Sequence, residues 1–254
     1  MKNIILFLLF PFLSFGQTNL HFITTSEVQT VTKSFMNFWR YYNDEIDLSE
    51  EYLSLDQSMN IISKKDFLSK LATGNFLPLR SVDKKVVYYK LNKLDTLLDN
   101  AIHKNLISIG ELHYKYYQME GTKLPSIITA DLNGKSYSAE TTKGKILVLK
   151  CWFINCQKCI EEIPYLNKLF DKYANRNEII FLSLAIDNEV DLSRFLKKIK
   201  FNYGVVPNQR NYMENILKVE AYPTHIIVDK TNTIVKVLND AKNIKPVLDK
   251  LFFQ

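Results

Sequence analysis

The residues from 145 onward repeat one pattern, in which a short apolar run is followed by an amphipathic helix. The run KILVLKCWF, residues 145–153, is apolar at nearly every position, as expected for a strand buried on both faces. Apolar residues then recur at helical spacing over residues 160–173, and a second buried run, EIIFLSLAID, follows at 178–187. Such alternation of strand and helix predicts an α/β sheet with helices on both faces.

The pattern continues to the end of the chain. Helices are expected over 191–199 and 212–219, with a short strand, YGVVP, between them. The runs THIIVD and TIVKVL, joined by the short turn Lys230-Thr231-Asn232, predict a β-hairpin. A helix over 243–252 closes the chain.

The region before residue 121 has a different pattern of apolar residues, and we expect it to be mainly helical. Apolar residues from Val28 to Tyr42 recur at three- and four-residue spacing and predict one amphipathic helix. A short helix over 66–71 and a long one over 95–118 follow, whereas residues 85–91 fit a strand or a helix start. Gly121 and Pro125 mark a boundary, which gives a region over 17–120 and a domain over 121–254.

The first 16 residues resemble a signal peptide. Lys2 provides a positive start, residues 4–15 are apolar, and Ser14 and Gly16 fit a cleavage site before Gln17. The apolar stretch is shorter than the roughly 20 residues that span a bilayer. We therefore expect an exported, periplasmic protein, with an uncleaved membrane anchor as the alternative.

Composition excludes several classes of partner. The formal net charge is +6, but the lysines are scattered and no nucleic-acid-binding motif occurs. We therefore expect no nucleic-acid partner, and the residue patterns predict neither a resident metal nor a cofactor.

The chain has three cysteines, Cys151, Cys156 and Cys159. The last two form a CxxC pair just after a predicted strand and at the start of a predicted helix. Residues three apart on a helix share a face, so the two sulfurs can reach disulfide distance. A helix start and the nearby Lys158 favour a thiolate at Cys156, which makes Cys156 the predicted nucleophile and Cys159 the resolving thiol.

Other uses of the cysteines stay open at this point. A structural zinc site needs four ligands, and only His225 lies in the same domain. Delivery of a metal or haem through the cysteine pair and His225 is an alternative, and so is a structural disulfide. A thiol peroxidase that uses Cys156 is a further alternative, although no threonine stands about four residues before it.

Several motifs together carry a family resemblance. Trp152, the sequence Cys156-Gln157-Lys158-Cys159, Glu162-Ile163-Pro164 and Tyr222-Pro223-Thr224 resemble the thioredoxin superfamily, and more narrowly its exported TlpA/ResA-like thiol–disulfide oxidoreductases. The lead-in GTKLPSIITADLNGKSYSAETTKGK is also similar. The resemblance covers residues 121 to the C-terminus. It implies a thioredoxin-like fold, with a central mixed sheet flanked by helices, preceded by the mainly helical region.

The resemblance also implies roles for single residues. Pro223 would be a cis-proline facing the disulfide, and the Tyr222 backbone would pair with an extended substrate strand. Trp152 and Thr224 would belong to the same substrate-binding edge. Glu162 would tune the thiols and help proton transfer.

The chain departs from the family pattern at several positions. Lys158 stands where many relatives have proline, and with Gln157 it is expected to tune the redox potential. Lys150 replaces a buried acid, which leaves proton transfer to Glu162 alone, and Cys151 is expected to be a buried, inert thiol.

The resemblance further implies the partners and the direction of electron flow. The expected partners are protein thiols or disulfides and a membrane-linked electron donor or acceptor. Reduction of substrates is expected rather than oxidation.

Overall fold

The computed structural model describes residues 20–94 and 99–253. The predicted signal peptide, residues 1–16, lies outside the described residues. Within those two ranges, no helix is both long and apolar enough to cross a bilayer.

The N-terminal region combines helices with a small sheet. Its helices are α1 (Thr25–Thr32), α2 (Phe35–Glu45), α3 (Lys64–Leu71) and α4 (Asn100–Met119). Its strands are β1 (Leu53–Leu55), β2 (Ile61–Ile62), β3 (Phe76–Asp83) and β4 (Val86–Lys93), in the order β2-β1-β4-β3. Helices occur at each predicted place, although the first is divided into α1 and α2, and the sheet was not predicted.

Two details correct the predictions for this region. The prediction of a single helix from Val28 to Tyr42 was wrong. Helix α1 ends at Thr32, and a separate helix, α2, begins at Phe35. The Ser34 hydroxyl accepts the Asn37 N–H, which caps α2 and separates it from α1. Residues 85–91, left open between strand and helix, lie mostly in β4.

Helices α3 and α4 pack closely in the N-terminal core, and Gly110 allows their backbones to meet. A Cβ atom added at Gly110 would lie 2.3 Å from the backbone nitrogen of Ala72. Leu71 of α3 and Leu106 of α4 are fully buried at this contact. The position of α4 therefore depends on the absence of a side chain at residue 110.

The C-terminal domain has the alternating order that the sequence predicts. Its strands are β5 (Thr129–Ala130), β6 (Ser136–Tyr137), β7 (Ile146–Trp152), β8 (Ile179–Ala185), β9 (Gly204–Val206), β10 (Thr224–Val228) and β11 (Ile234–Leu238). Its helices are α5 (Gln157–Glu161), α6 (Ile163–Tyr173), α7 (Glu189–Leu196) and α8 (Ile244–Phe253), with a 3-10 turn over Ala241–Asn243. The helix predicted over 212–219 is a shorter π-helix, Asn211–Ile216.

The central sheet is mixed, as predicted, and its order is β11-β10-β7-β8-β9. Strands β7, β8 and β9 are parallel, whereas β10 is antiparallel to both β7 and β11. The expected hairpin is therefore β10–β11. This topology places β7 in the centre, so that every residue of β7 is buried.

The two faces of β7 contact different helices. Leu147, Leu149 and Cys151 share a core with Tyr116 of α4 and Met213 of the π-helix. The alternate residues face α5 to α8: Ile146 and Val148 pack with α6 and α8, and Trp152 packs with Cys159 and α7. The last turns of α4 thus belong to the core of the C-terminal domain.

The close approach of α3 and α4 can be tested by adding one methyl group. We expect Gly110→Ala to lower the free energy of unfolding by about 2 kcal/mol, because the Ala72 backbone must move to admit it. Ser108→Ala, at an exposed position of the same helix, should change it by less than about 0.5 kcal/mol. Urea unfolding measures both, and equal stability of Gly110→Ala and wild type would contradict the contact.

Candidate active site

The cysteine pair lies where the central strand gives way to a helix. Strand β7 ends at Trp152, and Cys156 is the N-cap residue of the short helix α5. Cys156 and Cys159 are joined in a disulfide with a Cα–Cα distance of 5.2 Å. The Cys159 N–H donates to the Cys156 sulfur at 3.3 Å. The prediction that the two sulfurs reach disulfide distance is therefore confirmed.

The two cysteines differ in exposure. Cys156 retains 8% of its accessible surface, whereas Cys159 has none. Cys151, the third cysteine, is a fully buried free thiol in β7, and burial raises its pKa to about 12. A partner in solution therefore reaches the pair through Cys156.

The loop before Cys156 is held by the neighbouring strand connection. The backbone N–H of Ile154 donates to Asp187 at 2.8 Å. A cavity of about 340 Å³ opens beside this contact and is lined in part by Asn155 and Arg194. Asp187 was not singled out from the sequence, although its place directly after a buried strand is a position where site residues occur.

Trp152 lies beneath the cysteines rather than on the surface. It is fully buried, packs against Phe195 and Phe201, and belongs to the same apolar cluster as both cysteines. Trp152 thus packs beside the cysteine pair, as expected, and its predicted part in substrate binding stays a prediction. An apolar residue at a strand end fits both a core and a surface role, and the core position is the one observed.

The segment from Glu220 to Thr224, here called the cis-proline loop, stands next to the cysteine pair. The Tyr222–Pro223 peptide bond is cis, as expected. The Tyr222 ring meets Phe153 edge-on, with 5.5 Å between ring centroids, and packs against the cluster that contains both cysteines. Pro223 is buried and Tyr222 is partly exposed.

Thr224 follows the cis-proline but does not face outward. It is fully buried, and its hydroxyl donates to the Ala221 carbonyl at 2.7 Å. The Tyr116 hydroxyl lies 2.8 Å from Thr224 Oγ1. The Thr224 side chain therefore points to α4, and the predicted place of Thr224 in substrate binding stays a prediction.

Glu162 stands at the junction of α5 and α6, where its carboxylate has three partners. One oxygen, Oε2, lies 2.9 Å from Lys150 Nζ and 3.0 Å from His225 Nε2. The other, Oε1, accepts the Ala241 N–H at 3.0 Å. Lys150 and His225 are fully buried and face each other across β7 and β10. Together these three side chains form what we call the ionic cluster.

The ionic cluster holds Glu162 in its charged form. Burial on its own raises the pKa of Glu162, but the hydrogen bond from His225 and the nearby Lys150 ammonium outweigh it and lower the pKa to about 2. Burial lowers the pKa of His225, so its ring is neutral near pH 7. The carboxylate is thus ionised at neutral pH. Glu162 is therefore suited to act as a fixed negative charge and not as a proton donor.

The pairing of Lys150 with Glu162 was not predicted from the sequence. The place of Lys150 in an apolar strand indicated only that a buried acid was missing, and Glu162 was expected to act alone. The structure pairs the two residues instead. A lysine and a histidine within buried strands are a signal for a buried partner, because an unpaired buried charge is costly.

The two residues between the cysteines are on the surface. Gln157 and Lys158 are both exposed, and the Gln157 amide donates to Glu161 at 2.8 Å. They are therefore placed to act on the sulfurs through the local backbone and charge, and their predicted tuning of the potential stays a prediction.

His225 is not placed as a ligand next to the cysteines. Its Nε2 atom is engaged by Glu162, and the ring is fully buried. Across residues 20–94 and 99–253, no group of three or more His, Cys, Asp and Glu side chains could hold a metal ion. In this structure His225 thus pairs with Glu162, and the alternative of a metal site with the cysteine pair stays a prediction.

Removing the charge of Glu162 tests the ionic cluster. We expect Glu162→Gln to lower the free energy of unfolding at pH 7 by about 3 kcal/mol, because it leaves the Lys150 ammonium buried without a counter-charge. Glu161→Gln, at the exposed neighbouring position, should change it by less than about 0.5 kcal/mol. Denaturant unfolding of the three proteins gives the comparison.

The difference in stability between wild type and Glu162→Gln should also depend on pH. The pKa of Glu162 is lowered from 4.5 to about 2 on folding, so its stabilisation is complete above pH 4.5. That stabilisation is lost as the pH falls from 4.5 towards 2. The difference between wild type and Glu162→Gln should therefore shrink over this window, and a difference independent of pH would contradict the assignment.

Comparisons with known proteins agree with this geometry. Residues 121–237 match the AhpC/TSA family. The chain is 28% identical over 116 residues to a thiol-disulfide oxidoreductase ResA of Bacillus cereus, covering 46% of this chain and 67% of that protein. It is 26% identical over 140 residues to ResA of Bacillus thuringiensis subsp. konkukian, covering 52% of this chain and 81% of that protein.

Solved structures of similar proteins include the thioredoxin domain of a thiol-disulfide oxidoreductase from Bacteroides vulgatus. It is 25% identical, covers 52% of this chain and 96% of its own, and superposes with a TM-score of 0.46. The resemblance drawn from the motifs is confirmed by the family match and the curated relatives. Residues 121–237 of this chain are therefore similar to the AhpC/TSA family, and the chain resembles thiol–disulfide oxidoreductases of the ResA kind.

Proposed function

We propose that this protein reduces disulfides of exported proteins, with Cys156 as the nucleophile and Cys159 as the resolving thiol. The observation that carries the proposal is the arrangement of the pair at the end of β7. Cys156 caps α5 and is the more exposed of the two, while Cys159 is fully buried directly behind it.

The hydrogen bond to Cys156 supports its role as nucleophile. The Cys159 N–H donates to the Cys156 sulfur, and such a bond is stronger when the sulfur carries a negative charge. The reactive species in disulfide exchange is the thiolate. Opening the disulfide would leave this N–H directed at the thiolate of Cys156.

The reaction then runs in two exchanges. In the reduced protein, the Cys156 thiolate attacks one sulfur of the substrate disulfide, forms a mixed disulfide, and expels the other substrate sulfur as a thiolate. Cys159 then loses its proton, attacks the Cys156 sulfur, and expels the second substrate thiolate. The two substrate thiolates take up protons, and the protein is left with the Cys156–Cys159 disulfide seen in the structure.

The ionic cluster supports this reaction by fixing the helix that bears the cysteines. Glu162 lies three residues after Cys159 and is tied to β7, to β10 and to the 3-10 turn. Because its carboxylate stays ionised, the proton of Cys159 goes to solvent or to a departing substrate thiolate. Glu162 then acts on the thiols through its charge.

Substrate recognition is proposed at the cis-proline loop. The partly exposed Tyr222 lies against the cluster that contains the cysteines, and its backbone would pair with an extended polypeptide. Gln157 and Lys158 would border the same edge.

Location and direction are proposed from the sequence. The positively charged and apolar N-terminus supports export to the periplasm. There, re-reduction of the disulfide requires a two-electron thiol donor, which we propose to be membrane-linked. The family resemblance supports flow of electrons towards the substrate.

Single cysteine variants test the mechanism. We expect Cys156→Ser to reduce a disulfide-bonded model protein at the background rate, because a hydroxyl does not attack a disulfide at neutral pH. Cys159→Ser should still attack but should accumulate the mixed disulfide, which non-reducing mass spectrometry detects.

Cys151→Ala is the matched control, since Cys151 is buried in β7 and outside the pair. It should retain the wild-type rate. If Cys156→Ser keeps full activity, or if the mixed disulfide forms on Cys151, the assignment of the nucleophile is wrong.

A further inference from the structure

Helix α4 belongs to both halves of the chain. Ile102 and Leu106, in its first half, are buried in the N-terminal core. Tyr116, near its end, is buried in the core of the C-terminal domain. Its 20 residues span about 30 Å as one rigid element. Helix α4 therefore connects the two cores.

The end of α4 contacts the cis-proline loop directly. The Tyr116 hydroxyl lies 2.8 Å from the Thr224 hydroxyl, which is fully buried. Thr224 has one hydroxyl proton and donates it to the Ala221 carbonyl. Tyr116 must therefore be the donor in its bond to Thr224. A more exposed ion pair, Lys115 with Glu220, joins the same helix to the start of the loop.

These contacts bracket the residues proposed to receive substrate. Ala221 and Thr224 flank Tyr222 and Pro223, and the chain of hydrogen bonds runs from Tyr116 through Thr224 to Ala221. Tyr222 in turn packs on Phe153, three residues before the nucleophile. The loop is thus fixed on one side by α4 and on the other by the active-site cluster.

We propose that Tyr116 is a positioning residue, through which the N-terminal region holds the cis-proline loop in the shape that accepts an extended, disulfide-bonded polypeptide. The inference rests on the proposed function and assigns a role to the region that lies outside the matched family. Tyr116 does not touch substrate, since it is buried behind the loop. Its effect is on binding of the polypeptide rather than on sulfur chemistry.

Tyr116→Phe removes the donor and keeps the ring in the core. Loss of one buried hydrogen bond should raise KM for a disulfide between two unstructured peptides about fivefold. The kcat on that probe should be unchanged. So should the rate with bis(2-hydroxyethyl) disulfide, which has no backbone to pair with the loop, and the reduction potential.

Tyr117→Phe is the matched control, because the neighbouring Tyr117 packs against the N-terminal core. It should leave KM for the peptide disulfide at the wild-type value. A general structural defect in Tyr116→Phe would instead slow both probes together and lower kcat.

Amide hydrogen exchange of residues 220–224 provides a readout that needs no activity. It should be faster in Tyr116→Phe than in wild type or Tyr117→Phe. Unchanged exchange, or an unchanged KM in an active protein, overturns the inference. Inactivity of wild type on both probes would refute the proposed function, while the exchange experiment would still decide the role of Tyr116.

Discussion

The carboxylate of Glu162 is the contact on which the arrangement of the site depends. It joins four elements that are distant in sequence: the helix bearing the cysteines, the central strand through Lys150, the strand after the cis-proline through His225, and the 3-10 turn through Ala241. With both oxygens engaged, the carboxylate fixes where α5 ends and α6 begins. The position of the Cys156–Cys159 disulfide relative to β10 follows from this contact.

The main effect of a buried ion pair of this kind is to fix the positions of the elements that it joins. The cost of removing Lys150 and Glu162 from water offsets most of their mutual attraction, so the net stabilisation of such a pair is small. Loss of one partner is costly, because the other is left charged and buried. The ionic cluster therefore specifies one arrangement of helix and strands more than it adds stability. The Pro164 that follows supports the same break, since it stands in the first turn of α6.

The sequence predicted the C-terminal domain well, because its strands are continuous apolar runs and its helices have a clear period. It also predicted the cysteine pair and the cis-proline, since these are local motifs. The N-terminal sheet was missed: β3 is largely buried without strict alternation and contains Pro78, which weakens the strand signal. The break between α1 and α2 depends on one capping serine within an otherwise continuous apolar stripe.

The long-range contacts of the site could not be predicted in the same way. The apolar side of α4 indicated burial, but periodicity does not say that Tyr116 is buried in the second core rather than the first. Lys150 and Glu162 are 12 residues apart, and their pairing needs the helix break to be known. The burial of Trp152 and Thr224 depends on which neighbouring elements cover them, and these are α7 for Trp152 and α4 for Thr224.

We propose that the Cys156–Cys159 pair is a redox couple that donates electrons to substrate disulfides. Its reduction potential, measured by equilibration with glutathione and quantified by mass spectrometry, tests this most directly. We expect a value near that of thioredoxin, roughly −270 mV. A value near that of the oxidant DsbA, roughly −120 mV, would indicate that electrons flow from the substrate to the pair and would contradict the proposed direction.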